Sequence, residues 1–415
     1  MASLTSRLKL RKPATTDTVN VDTDLSANYD IIDLIAGYQV VTSGTRPGTP
    51  YVGQTIFETD TNKNYMWNGT IWLPQYSDYN PPASAYTLRN ALHNGDMRVA
   101  QRGTTGAGPV GVSTIASRTG LDRWACLRVG AVAGVTWTQT TKNLLSQRNG
   151  LRIQRDSANA STAVCQTYQQ IESVDAVRFQ GKFVTISFTG KCGANYSPAS
   201  SLLSVNLRTG TGTDENIQAA PFTGVADPVL QSVTLTATDQ RFTFTSGAAL
   251  GTTITEMALY FNMTPVGTAG ANDWFEITEI QVEEGTVATP FEHRPYQLEL
   301  ATCQRYFQRI SQPAAGNLIC GFGLVPAANT VNVVMPLPVE MRTTPIAVSA
   351  SFTAQFITTA AGNQSITGGG YTATGSNAKL VYLALTTSGA GLTVGGCAGL
   401  AGIGTSSIID IFADL

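Results

Sequence analysis

The sequence has 415 residues, 42% of them apolar and only 13% charged, with 40 glycines and a formal net charge of −2. Soluble domains usually carry roughly 25% charged residues, so this chain has no global pull toward nucleic acid or anionic lipid. No segment reaches about 18 uninterrupted apolar residues and "MASLTSRLKLRKP" lacks the apolar stretch of a secretory signal, so neither membrane insertion nor export is expected, and synthesis is placed in the host cytoplasm.

In chain order, residues 1–37 read as an arm and a short helix. Arg7, Lys9, Arg11 and Lys12 alternate with leucines at a strand period and are the candidate docking residues. An arm of this kind can add a strand to a partner's sheet edge; the alternative is a solvated terminus. Leu25, Tyr29, Ile32 and Ala36 then follow a helical stripe that Gly37 stops. Residues 38–75 read as a small hairpin module. Its strands at Thr55 and Tyr65 are followed by Asn68-Gly69, a strong hairpin turn, with Trp67 and Trp72 expected as its core. "SDYNPPASAY" places a linker over 76–87.

Over 88–294 strands recur between turn residues with no helical pattern, as in "GKFVTISFTGK", where Val184, Ile186 and Phe188 share one face. That spacing predicts an antiparallel jelly-roll sandwich. Residues 295–310 read as a linking helix opened by Pro295, with Tyr296, Leu300, Cys303, Phe307 and Ile310 stepping by four and three along an apolar stripe. Glu299, Gln304, Arg305, Gln308 and Arg309 are expected on its solvated side or between subunits, and His293 in a structural bond to Glu292 or a neighbouring chain. Residues 311–415 repeat the β pattern at lower complexity, and Pro336 and Pro338 place their first strand at an edge or a bend. The fold class is therefore mainly β: hairpin module, jelly-roll β-sandwich, short linking helix and C-terminal β-sandwich.

No motif carries an activity. There is no G-x-S-x-G, H-E-x-x-H or Walker loop, and the two histidines lie far apart in sequence. The six scattered cysteines form no C-x-x-C pair and read as buried free thiols. Glu283 and Glu284 are adjacent on a strand and point to opposite faces. Asn94 and Asp96, with Glu276 or Glu279, are candidate calcium ligands. Trp137, Tyr168 and Tyr196 stand among polar residues and are the candidate carbohydrate-stacking rings.

Several segments carry a family resemblance. "GTRPGTPYVGQTIFETDTNKNYM" with "WNGTIWLP" looks like the small hairpin module of tail proteins in tailed bacteriophages. "NGDMRVAQRGT" and "LDRW" (94–104 and 121–124), "VCQTYQQIE", "FQGKFVTISFTGK" and "IQVEEGTVATPFEHRPYQLELATCQRYFQR" resemble the phage appendage jelly roll, and "VEMRTTP" the β-domain that follows it. The resemblance implies a virion protein of the tail-fibre or receptor-binding type. It would be a homotrimer, docked on other virion proteins by its N-terminal arm, with a carbohydrate-binding-module-like sandwich that attaches to host-surface glycans, no cofactor except calcium, and no enzyme activity. A ligand-free architectural role, as head fibre, decoration, collar or baseplate piece, is the alternative. A polysaccharide depolymerase is the third reading, since paired carboxylates about 5–10 Å apart can converge from distant strands.

Overall fold

Alternating burial sorts this chain into strands almost everywhere. The computed structural model describes residues 3–4, 11–12, 18, 20–26, 28–29, 39–75, 88–108, 120–129, 134–142, 149–311, 317–350, 355–359, 362–389, 391–403 and 408–414. They fall into two units, Met1–Ala85 and Tyr86–Leu415.

In the first unit, β1 (Ser3–Leu4) pairs antiparallel with β2 (Arg11–Lys12), so Arg11 and Lys12 lie on a strand satisfied within the chain. Arg7 and Lys9 lie outside the described residues, as do Ile32, Ala36 and the linker 76–87. The expected helix begins as a turn over Val21–Ser26, with Leu25 and Tyr29 exposed. A four-stranded sheet follows: β3 (Gln39–Val41) is parallel to β4 (Thr55–Glu58), which continues antiparallel through β5 (Lys63–Trp67) to β6 (Trp72–Gln75). The predicted turn is present. Asn68 Oδ1 accepts the N–H groups of Thr70 and Ile71, and Gly69 takes a φ of +104° that favours glycine. Trp67 and Trp72 meet as a cross-strand pair with ring centroids 5.4 Å apart, while Ile56 is the fully buried apolar side chain.

The second unit begins with eleven strands: β7 (Thr105–Ala107), β8 (Ala125–Arg128), β9 (Val135–Thr141), β10 (Asn149–Arg155), β11 (Cys165–Ile171), β12 (Val184–Cys192), β13 (Leu202–Gly210), β14 (Ala226–Thr234), β15 (Gln240–Thr245), β16 (Glu256–Met263) and β17 (Trp274–Glu284), with the one-turn helix α1 (Ser173–Ala176) after β11. They form a six-stranded sheet, β15-β12-β17-β10-β9-β7, and a five-stranded sheet, β14-β13-β16-β11-β8. Every pairing in both is antiparallel. The inward residues, among them Leu151, Ile186, Phe188, Val205, Phe261 and Phe275, share one core. β14 and β15 lie in different sheets, and the chain crosses between them at 235–239.

One irregularity organises the start of this sandwich. Register slips between Ser187 and Thr189, and Glu279 on β17 takes φ +49° there, the signature of a bulge. The segment 90–95 closes over it. Asn90 Nδ2 donates to Ile280 O, Asn90 Oδ1 accepts from Val282, and Ile280 N–H reaches Gly95 O. A Cβ on Gly95 would fall 2.3 Å from Ile280 O, so only glycine fits.

Helix α2 (Tyr296–Gln304) is shorter than the apolar stripe predicts. Phe307 and Ile310 lie on β18 (Phe307–Ser311), a strand, so the stripe does not run on one helix. Tyr296 is exposed, and the helix buries Cys303 and, against expectation, Glu299. Glu299 is held inside because its Oε1 accepts the buried backbone N–H of Asn94 while Arg294 stands 3.7 Å from Oε2. Gln308 is likewise buried, donating to Val339 O. Arg305 binds Glu172 through two bonds of 3.0 and 2.9 Å, and Arg309 binds Asp410. Six of the remaining strands close a ring: β19 (Asn317–Ala327), β20 (Thr330–Pro336), β22 (Gln355–Thr359), β23 (Gly362–Tyr371), β24 (Leu380–Thr387) and β25 (Cys397–Ile403). β21 (Ala347–Ala350) and β26 (Ile408–Phe412) flank the ring in sequence and join β18 in a three-stranded sheet, and ring and sheet share one core. β20 is interior to the ring rather than at an edge, and Pro336 ends it.

Candidate saccharide-binding face

The outer faces of the two sheets differ. That of the five-stranded sheet is closed: Ile217 and Phe222, from the segment 211–225, pack on Ala125, Leu127, Tyr168, Ala258 and Tyr260. Tyr168 does point away from the main core, but its ring stacks on Tyr260 at 5.3 Å under this cover and is 0% exposed. Trp137 faces inward. It alternates with Val135 on β9, is 3% exposed, and its threonine neighbours belong to the opposite face. Tyr196 is half-buried with its hydroxyl donating to Leu202 O, and burial pushes the phenol up. None of the three offers an open ring face to a sugar.

The candidate calcium ligands are likewise spent on structure. Asn94 Nδ2 donates to Val99 O and Asp122 O, and its Oδ1 accepts from Val99. Asp96 pairs with Arg98, and burial pushes its carboxyl up. Glu279 is buried on the bulge with Oε2 3.5 Å from the Thr189 hydroxyl. Among the described residues no group of three His, Cys, Asp or Glu is placed to hold a metal ion. The histidines make no site either. His293 is exposed, with its ring edge-on to Phe291, and Glu292 instead accepts the N–H groups of Leu88, Arg89 and Asn90. His93 is held neutral, its pKa lowered well below 6.5 by burial and then by the charge of Arg123. Of the described cysteines, four are buried as expected and Cys397 is exposed.

The outer face of the six-stranded sheet is polar and half-open. Direct cross-strand neighbours share a face, which sets Thr138, Arg152, Glu276 and Lys191 in one row and Thr136, Gln154 and Trp274 in the next. The Arg152 guanidinium lies over the Trp274 indole, 3.9 Å from the ring centroid, and bonds Glu276 Oε2 through Nε (3.2 Å) and Nη2 (3.0 Å). Lys142 reaches in from the end of β9 to bind Glu276 Oε1 at 2.7 Å and Asp239 at 2.6 Å. Gly150 leaves it room: a Cβ there would stand 3.0 Å from the Lys142 Cε. Lys191 stands 3.5 Å from Glu276 and 3.6 Å from Asp239. The sheet crossing at 235–239 is what brings Asp239 here.

Glu276 is 1% exposed at its side chain. Burial alone would raise its pKa; the Lys142 hydrogen bond and the charges of Lys142 and Lys191 outweigh that and hold the carboxyl below its ordinary value. It is thus a fixed anion that orients three cations, of which Arg152 and Lys191 remain partly exposed. The patch offers a half-exposed indole and a planar fork and an ammonium as hydrogen-bond donors. The hydroxyls of Thr136, Thr138 and Thr140 stand half-exposed beside them. Sequence reasoning passed over Trp274, although its signal was present. In "DWFEITE" it alternates with Glu276 and Thr278, so it belongs to the polar face of its strand.

No family model matches this sequence, and no curated protein matches it. Among solved structures, similarity is found to the enzymatically active domain of bacteriophage CBA120 tailspike protein 4, with 13% identity over 48% of this chain and a TM-score of 0.29. This chain spans 22% of that one. A putative sugar binding protein from Bacteroides thetaiotaomicron matches at 10% identity over 47% of this chain and 100% of its own, TM-score 0.29. The CBM22-1 xylan-binding domain of Paenibacillus barcinonensis Xyn10C matches at 13% identity over 44% and 100%, TM-score 0.25. Scores this low carry nothing about the site, whose reading rests on its own geometry.

Proposed function

We propose that the sandwich is a saccharide-binding module and that the chain is a bacteriophage virion appendage that attaches to host-surface glycans without cleaving them. The observation that carries the binding reading is the Trp274–Arg152 stack on the Glu276 network, a half-open aromatic and donor-rich patch on an otherwise hydroxyl-lined sheet face. Sugars present both apolar C–H faces and acceptor oxygens, and such a patch matches both. The virion role is supported by the sequence resemblance of residues 38 to about 310 to phage appendage segments.

A glycan array and host wall fractions probed with the full chain test this reading. Trp274→Ala and Arg152→Ala should each weaken binding by about 10-fold, about 1.4 kcal/mol, with melting unchanged. No binding to any wall fraction, or binding indifferent to both substitutions, overturns it. Release of reducing ends from host polysaccharide would overturn the non-cleaving part alone.

A further inference from the structure

Beyond Ser311 the only charged residues are Glu340, Arg342, Lys379, Asp410 and Asp414. Arg342 pairs with Asp214 and Asp414 with Arg102, both toward the sandwich; Asp410 pairs with Arg309 in the three-stranded sheet, and Glu340 with Lys379. None lies within the six strands of the ring. The ring's outer wall is apolar as well as uncharged. Register sets Phe322 beside Val334 and Gly399, Leu324 beside Asn332 and Cys397, and Val334 beside Tyr382. Phe322 is 71% exposed and Leu324 53%, with Val334 and Cys397 exposed alongside them. Lone exposed apolar residues are ordinary, whereas a contiguous apolar row across neighbouring strands marks an interaction surface.

We infer that this wall, on β25, β19 and β20, is where copies of this chain associate. The absence of charge selects the partner. Two identical surfaces bring each charge toward its own kind, so a charge-free wall is the part of the unit best suited to meet its copy. A different protein or a lipid surface gains affinity and speed from complementary charge, and this wall offers none. Because the ring is closed it presents no free edge here, so association is face to face by side-chain packing and not by strand addition. Helix α2, which the sequence placed near the subunit axis, instead buries Cys303 and Glu299 within its own chain. The inference stands apart from the saccharide reading, since the wall and the Trp274 patch share no residue.

Sedimentation of the full chain over a range of concentrations tests it. The wild type should sediment as a multiple of the chain mass. Phe322→Glu combined with Val334→Asp should raise the dissociation constant by about 100-fold or more and yield monomer, with circular dichroism unchanged. If that pair fails to fold, Leu324→Lys provides the same test at one exposed position. A bifunctional maleimide should join copies through Cys397 in the wild type only. A wild type that stays monomeric, or one that binds lipid vesicles as a monomer through this wall, overturns the inference. So does an oligomer that persists in the folded variants.

Discussion

Glu256 opens β16 beneath the segment 211–225, where its Oε1 accepts the backbone N–H of Glu215 and its Oε2 has no hydrogen-bond partner among the described residues. Burial pushes its carboxyl up from 4.5 to about 7. A folded state that holds this proton more tightly than the unfolded chain is stabilised fully below about pH 4.5. That contribution is lost as the pH rises toward 7 and does not change further above it. Glu256→Gln keeps an acceptor for Glu215 and removes the ionisation. Its melting temperature should match the wild type near pH 4 and exceed it at pH 8; an equal difference at both values would refute the assignment. At this scale the sequence was least legible. Glu276 is a buried anion only because Lys142, Lys191 and Arg152 arrive from three other places in the chain, and no local pattern announces that. The polar surroundings of Trp137 misled for a local reason, since its threonine neighbours point the other way.

Elements were more legible, and where the reading failed the cause was a shared period. Cys303, Phe307 and Ile310 are spaced as a helix face, but a chain leaving a helix into a strand can show the same spacing, and hydrogen bonding to β26 decides for the strand from Phe307. The alternating segments "GKFVTISFTGK" and "KLVYLALTT" gave β12 and β24 directly, because alternation is unambiguous when one face is buried. Helix α2 tests how a charged residue secures an element. Glu299→Ala strands the buried Asn94 N–H and should cost about 2–3 kcal/mol in denaturant unfolding. Glu299→Gln, whose amide oxygen still accepts, should recover most of it. If the two variants unfold alike, Glu299 does not hold the helix.

In the whole second unit, sandwich and ring are tied at many points. Arg102 binds Asp414 at 2.6 Å and lies 4.0 Å over the Phe307 ring. Gln101 reaches Phe307 O, Arg342 N–H meets Arg305 O, and Ala413 N–H meets Tyr306 O. Residues 86–415 should therefore unfold in one calorimetric transition, and a fragment ending at 294 should melt well below it, having lost the Glu299 and Arg305 bonds. Two separated transitions in 86–415 would count against this coupling. The sequence marked a boundary at the start of the helix because composition changes there, but composition says nothing of contacts made across it. A mechanical consequence follows from the Glu292 carboxylate that gathers the N–H groups of Leu88, Arg89 and Asn90. It pins the strand leading into the sandwich against the strand leading out. Tension applied between residue 88 and the ring would cross from one to the other at that clasp, leaving the sheets beside the line of force, and the sugar-facing side of the sandwich would keep its shape while the chain is pulled.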